Sequence, residues 1–277
     1  KNVKNGVNVL DEDMIKNENT IYVIQYDFDL QEEEITVPEG CVLDFQGGSL
    51  KNGRLTLNNT LLSGCIKFKS DCIVQGSIHN NEVLIDWFGA SNDGTTDCSS
   101  VFRNVFSLVY NTANNNDSAF NKYCPIIKLS YGKYLISSPI ITEDSDLKYG
   151  TFTIQGTGVA NTVVEFAGDN NEYLIYNKEI FAYTTFSDIR FVGNDQNNFM
   201  YLYATETTGR IPQSITFNRC RFGQFKTVIK SEGNAMCSEI TFNLCKVVYF
   251  KNTEAELFVF NNLQAVNWRF FGTDIEQ

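Results

Sequence analysis

Two stretches of this chain align residue for residue at an offset of 25. They are Ile215-Thr-Phe-Asn-Arg-Cys-Arg-Phe-Gly-Gln-Phe225 and Ile240-Thr-Phe-Asn-Leu-Cys-Lys-Val-Val-Tyr-Phe250. The shorter motif apolar-polar-aromatic extends the series in both directions, to Ile189-Arg-Phe191 and Val266-Asn-Trp268. A fixed period in this range marks a stacked-repeat architecture. Alternation within each repeat marks strand rather than helix. A strand-only repeat of this length predicts an all-β, right-handed single-stranded parallel β-helix, in which equivalent residues lie one above another. On that register Ile215 and Ile240, Phe217 and Phe242, and Cys220 and Cys245 point inward. Arg190, Thr216, Thr241 and Asn267 form one outward column, and Arg221 and Lys246 stack as a basic one. Asn218 and Asn243 sit at strand ends, placed for a side-chain amide ladder. The competing reading is an antiparallel sandwich with a coincidental spacing.

The rest of the chain divides at about residue 85. Residues 1–85 form an N-terminal β-rich module, and residues 86–277 carry the repeats. In the module, Leu43, Leu55 and Ile66 open short apolar runs separated by Gly47-Gly48, Asn52-Gly53 and Asn58-Asn59. Gly and Asn tolerate positive φ, so these are turns. The spacing of 11 to 12 residues fits a meander of hairpins or a repeat with two short strands, and the latter is preferred. The one clear helix covers 97–110. Val101, Phe102, Val105, Phe106, Leu108 and Val109 fall on one face, and Asp97 is placed as its N-cap. It is expected to plug the open front end of the stack, with a polar loop at 111–122 after it. The last repeat near Trp268 runs directly into the end of the sequence, so further repeats are expected after Gln277. The first residue is Lys1, which is expected of a processed or partial product.

Composition narrows the function. The net charge is −11 and the pI about 4.6, which argues against a nucleic-acid backbone or an anionic membrane surface as the main partner. No run of about 18 apolar residues is present to insert in a membrane. The single histidine, His79, excludes most zinc-enzyme and Ser-His-Asp designs. Eight cysteines occur without a CxxC pair, and most lie within apolar strand patterns, so they are expected to be reduced core residues. No metal site and no cofactor are predicted.

Three motifs then follow one another in a familiar order. Trp87-Phe-Gly-Ala-Ser-Asn-Asp93-Gly94-Thr-Thr-Asp97 resembles the Gly-Ala-x-Gly-Asp-Gly-x-Thr-Asp-Asp signature of the pectate-lyase superfamily, common in phage tailspikes and secreted polysaccharide-degrading enzymes. Ile126-Ile-Lys-Leu-Ser-Tyr-Gly132-Lys-Tyr134-Leu-Ile136 is similar to that family's Leu-Pro-x-Gly-x-Tyr strand. Ile154-Gln-Gly-Thr-Gly158 with Thr162–Phe166 resembles its Ile-x-Gly-x-Gly segment. Cys98 replaces the second Asp of the signature, and Ser130 stands where the Pro is expected. Residues 41–62 look like a front module of such proteins from gut bacteria and their phages. The resemblance implies two competing functions. One is a homotrimeric phage tail appendage, located in the virion tail beside other tail proteins, structural or binding a host-surface polysaccharide. The other is a secreted lyase or hydrolase acting on an acidic glycan. Reduced cysteines favour the first.

Glycan cleavage needs two converging acids, or a base and a cation beside an acidic sugar. The candidate acids are Asp188, Asp195, Glu206, Glu239, Glu254 and Glu256, with Arg190, Arg210, Arg219, Arg221 and Lys246 as basic companions. No Asp-Asp pair recurs as the polygalacturonase branch would require. Asp93, Gly94 and Asp97 are read as structural, setting a turn and a helix cap. Aromatic residues cluster between 166 and 210, and Tyr201 and Tyr203, with Arg190, Arg221 and Lys246, are the candidate glycan-binding residues, since exposed rings stack on sugars.

Overall fold

A computed structural model describes residues 2–4, 6–114, 124–142, 149–177, 180–205, 212–248 and 255–276. The protein is mostly β, and apart from one antiparallel pair (Asn2–Lys4 with Val7–Val9) its strand pairs are parallel among the described residues. It divides into two compact units, residues 1–90 with 100–127, and residues 91–99 with 128–277.

In the first unit Ile21–Ile24 pairs with Val42–Phe45, which pairs with the end of the long strand Gly53–Gly64. Asp27–Asp29 pairs with Ser49–Lys51. Glu34–Thr36 pairs with the start of Gly53–Gly64, and that segment pairs with Cys72–Ile78. These parallel registers remove the hairpin meander. They also correct the two-strand repeat. Leu43 lies beside Tyr22 and Leu62, while Leu55 lies beside Ile35 and Val74. The structural repeat is thus about 20 residues with three strands, and the 11 to 12 residue spacing counted strands of different sheets as successive. Asn19, Gly40 and Asn59 recur with positive φ at the same point of each repeat. The helix α1 spans Ser99–Asn114, so it starts two residues later than predicted and takes in residues assigned to the polar loop. The remainder of that loop, 115–122, lies outside the described residues. The predicted apolar face of α1 is buried, and the Thr112 hydroxyl accepts the Ile78 N–H at 3.1 Å.

The second unit contains three parallel ladders that grow in step. The first runs through Thr153–Gln155, Thr185–Ser187, Gln213–Asn218, Ser238–Asn243 and Arg269–Phe271. The second runs through Asp93–Asp97, Gly132–Ile136, Thr162–Phe166, Arg190–Val192, Arg221–Gly223, Lys246–Val248 and Asp274–Glu276. The third runs through Tyr173–Asn177, Asn198–Ala204, Thr227–Met236 and Phe258–Gln264.

In-register pairing stacks identical rings. Phe186, Phe217, Phe242 and Phe270 form a column with centroid spacings of 5.1, 4.8 and 5.0 Å and interplanar angles of 13°, 24° and 6°. Phe191 and Phe222 stack beside it at 5.6 Å, and Phe199 packs edge-on against Phe217 and Phe222. Offset stacking and edge-to-face contact are the favourable aromatic geometries. Cys220 and Cys245 fill the interior as expected, and the Cys245 thiol donates to the Phe217 carbonyl at 3.2 Å. All eight cysteines are free thiols, six of them buried, while Cys65 is exposed and Cys124 half-buried. The predicted amide ladder is present, with Asn243 Nδ2 donating to Asn218 Oδ1 at 3.1 Å.

The outer members of the predicted repeat series are displaced. The partner of Phe217 is Phe186, not Phe191, and Arg190 pairs with Arg221 rather than Thr216. Thr241 pairs with Arg269, which puts Trp268 rather than Val266 beside Ile240. The reason is that each repeat carries two similar strands, one per ladder, and the connecting segments differ in length. Successive offsets along the phenylalanine column are 217 − 186 = 31, 242 − 217 = 25 and 270 − 242 = 28.

The bends between the first and second ladders repeat one conformation. Asp188, Arg219, Leu244 and Gly272 all have positive φ (61°, 49°, 52° and 52°), a region that costs an ordinary L-residue roughly 1–2 kcal/mol. Two substitutions test these columns by urea denaturation. Phe217→Ala should destabilise by about 3–5 kcal/mol, as expected for removing a ring from a packed core. Leu244→Asn, at an exposed left-handed position, should stabilise by about 0.5–1 kcal/mol by relieving backbone strain.

Candidate functional site

The ladders carry the sequence-predicted residues onto separate features. Asp188 and Arg219 occupy equivalent bends in neighbouring repeats, and the guanidinium grips the carboxylate in bidentate fashion, with Nε–Oδ1 and Nη2–Oδ2 both 2.7 Å. That grip raises the already high Arg219 pKa. Glu239 lies in a different left-handed column, with Tyr183, Ser214 and Asn267, and accepts the Ser214 hydroxyl at 2.6 Å. Asp195 follows the strand Arg190–Val192 in a third such bend, where its N–H donates to the Gln224 carbonyl at 2.7 Å. The columns of Asp188 and Glu239 stand at opposite ends of the first ladder's strands. Five extended residues between them span about 16 Å, against the roughly 5–10 Å between carboxylates that flank a glycosidic bond. The structure therefore does not bring these acids together. Glu256 is exposed, and Glu206, Arg210 and Glu254 lie outside the described residues.

Asp93 and Asp97 are both engaged by backbone. The Asp93 carboxylate accepts the N–H groups of Thr95 and Thr96 and the Thr96 hydroxyl, at 2.7, 2.8 and 2.8 Å. These bonds hold its pKa far below the usual carboxylate range. Gly94 follows it with φ 74°. Asp97 ends a strand of the second ladder, one residue ahead of the position where a helix cap would stand. Its oxygens accept the Ser99 N–H at 3.0 Å, the Ser137 N–H at 3.1 Å and the Ser137 hydroxyl at 2.6 Å. Burial pushes its carboxyl up, but the Ser137 and Ser99 hydroxyls and N–H groups outweigh this and hold the pKa down to about 2. His79 is exposed, with Nδ1 3.2 Å from Asn59 Oδ1.

The third ladder presents the most distinctive cluster. Tyr176 and Tyr201 are in register and stack at 4.5 Å and 6°, and Tyr173 tilts against both, at 5.9 and 5.5 Å. The Tyr201 hydroxyl donates to Glu232 Oε2 at 2.8 Å, and Lys230 Nζ lies 2.7 Å from Glu232 Oε1. Lys230 follows Tyr201 in the same column, with its ammonium 6.0 Å from the ring centroid. Tyr203 is in register with Glu232 and Asn261. Burial, with the Glu232 charge beside it, raises the Tyr173 hydroxyl to about 12. Burial and the hydrogen bond to Glu232 raise Tyr201 further. The Lys230 hydrogen bond lowers Glu232. At neutral pH the Tyr173 and Tyr201 hydroxyls therefore stay protonated and the Glu232 carboxyl ionised. Tyr201 itself is only 6% exposed, while Tyr173 and Tyr176 are half-buried and present the accessible aromatic area. Lys230 and Glu232 escaped the sequence reading because Lys-Ser-Glu resembles any solvated strand edge. Only the 31-residue pairing of Tyr201 with Glu232 reveals them.

The basic residues form a second feature, on the second ladder. Arg190, Arg221 and Lys246 stack in register, so the predicted Arg221–Lys246 column exists and begins one strand earlier. Among the described residues no three His, Cys, Asp or Glu side chains are grouped to hold a metal ion, and no helix is long and apolar enough to cross a membrane. No protein-family model, curated protein or solved structure matches the chain.

The Asp97 contacts predict a pH dependence. Because its pKa is lowered on folding, its contribution is fully present above the ordinary value of 3.8 and is lost as pH falls through about 2. Asp97→Ala should cost about 1 kcal/mol at pH 7. The gap in urea midpoint between variant and parent should narrow between pH 4 and pH 2.

Proposed function

We propose that the second unit is a right-handed single-stranded parallel β-helix of the pectate-lyase type, and that the chain is the glycan-recognising part of a phage tail appendage. Three ladders advancing together, with like residues stacked in columns, support the β-helix reading. The tail reading rests on the resemblance of the signature, strand and glycine segments between residues 87 and 166, and on eight free cysteines, which suit a protein folded in the host cytoplasm. In this reading the protein is a homotrimer among other tail proteins, and its partner is a bacterial surface polysaccharide.

The observation that carries recognition is the Tyr173–Tyr176–Tyr201 cluster with Glu232 and Lys230. Aromatic area accepts the apolar face of a sugar ring. A carboxylate and an ammonium at its rim offer an acceptor and donors to ring hydroxyls. Both stand on parallel strands, which fix their spacing. Binding is favoured over cleavage because Asp188, Asp195 and Glu239 sit in three separate columns of bends.

The test is a panel of bacterial capsular and plant acidic polysaccharides. Binding, reducing ends and the ultraviolet absorbance of unsaturated uronates would be followed together. The expected result is saturable binding of at least one polysaccharide, no product, and roughly tenfold weaker binding for Tyr176→Ala, about one stacking contact. Release of unsaturated or reducing ends would make the protein a lyase or hydrolase instead. Folded protein that binds nothing would leave a purely structural role.

A further inference from the structure

We infer that Arg190 and Arg221 form an oxyanion-binding site on the second ladder, separate from the tyrosine cluster and independent of the glycan reading. The outward column there reads Lys133, Val163, Arg190, Arg221, Lys246, Asp274 in register. Its cationic ends are neutralised. Lys133 pairs with Glu165 at 2.7 Å and Lys246 with Glu276 at 2.8 Å. The two arginines between them have no carboxylate partner among the described residues. Directly opposed like charges on adjacent strands are destabilising, and here they persist in a chain whose net charge is −11.

The local environment points to a ligand rather than to solvent. Arg190 Nε is shielded from water and donates to nothing, and an unsatisfied buried donor of a charged group is costly. Gly223, on the same strand and two residues beyond Arg221, is itself buried. Among the described residues a Cβ there would meet nothing closer than the Val248 carbonyl oxygen at 3.9 Å, so the strand is open two residues beyond Arg221. Adjacent strands lie about 4.8 Å apart, close enough for the side chains of two in-register arginines to share the oxygens of one anion through paired N–H···O bonds. The ligand class is therefore an oxyanion: a carboxylate, sulfate or phosphate group, free or carried on a larger molecule.

The experiment follows the arginine Nε–H signals of the intact chain by nuclear magnetic resonance, at constant ionic strength. Inorganic sulfate, inorganic phosphate and glucuronate would be titrated in turn, and the ligand that saturates lowest identifies the source. Saturable shifts of Arg190 and Arg221, with Arg219 unmoved in its pair with Asp188, are expected. Arg221→Gln should weaken the titration seen at Arg190 at least tenfold. Arg190→Gln should do the same at Arg221, and the first variant suffices if the second does not fold. Shifts that are linear, shared by Arg219, or unchanged in Arg221→Gln would overturn the site. Because the readout is local, its failure leaves polysaccharide binding at the tyrosines untouched.

Discussion

In-register parallel pairing is the constraint from which the rest of the second unit follows. It sets each side chain directly against its equivalent one strand away, so the character of a position is multiplied along the ladder. For phenylalanine this is favourable at every step, and the column from Phe186 to Phe270 packs ring on ring. Small apolar positions behave alike, and Cys220 and Cys245 occupy the same interior place in successive repeats. For arginine the same rule is unfavourable. In the charged column the two lysines are offset by counter-charges, Glu165 and Glu276, whereas Arg190 and Arg221 between them are not.

The bends obey the rule as well. Positive φ recurs in Asp188, Arg219, Leu244 and Gly272, and again in Tyr183, Ser214, Glu239 and Asn267. Only one of these eight is glycine, so the conformation is imposed by the ladders and not by local preference. Backbone bonds to the neighbouring repeat hold it, such as Asp188 N–H to the Asn218 carbonyl at 3.0 Å and Leu244 N–H to that of Phe271 at 2.7 Å. Acidic side chains at such bends are held by their neighbours, Asp188 by Arg219 and Glu239 by Ser214. Their chemistry is thereby spent on the turns.

This explains what the sequence made legible. Over Ile215–Gly223 and Ile240–Val248 the alignment reports a true register, because those two stretches differ by no inserted residue. Extending the series to Ile189 and Val266 fails for a physical reason. Ile189-Arg-Phe191 of the second ladder matches Ile215-Thr-Phe217 more closely in sequence than Thr184-Thr-Phe186 of the first ladder does. Only the hydrogen-bonded pairing tells them apart. In the first unit the same ambiguity turned a three-strand repeat into a two-strand one. The tyrosine cluster was half legible: Tyr201 and Tyr203 announce an aromatic face, but Glu232 and Lys230 reach them across the ladder, at a separation that no local pattern encodes.

The division between strands and bends also bears on how such a surface can recognise a ligand. A side chain on a strand inherits its position from two neighbours and cannot drift without breaking a ladder, whereas one at a bend answers to a single turn. Recognition needs groups held to within a fraction of an ångström, so the strand faces are where it is best placed. Both features that meet this requirement, Tyr176–Tyr201 and Arg190–Arg221, are in-register pairs on neighbouring strands. They differ in what they leave unsatisfied. The tyrosine pair has its Tyr201 hydroxyl bonded to Glu232 and offers aromatic surface with Glu232 and Lys230 at its rim. The arginine pair carries charge and an unmatched donor. On the proposed readings the first takes the face of a sugar ring and the second an anion.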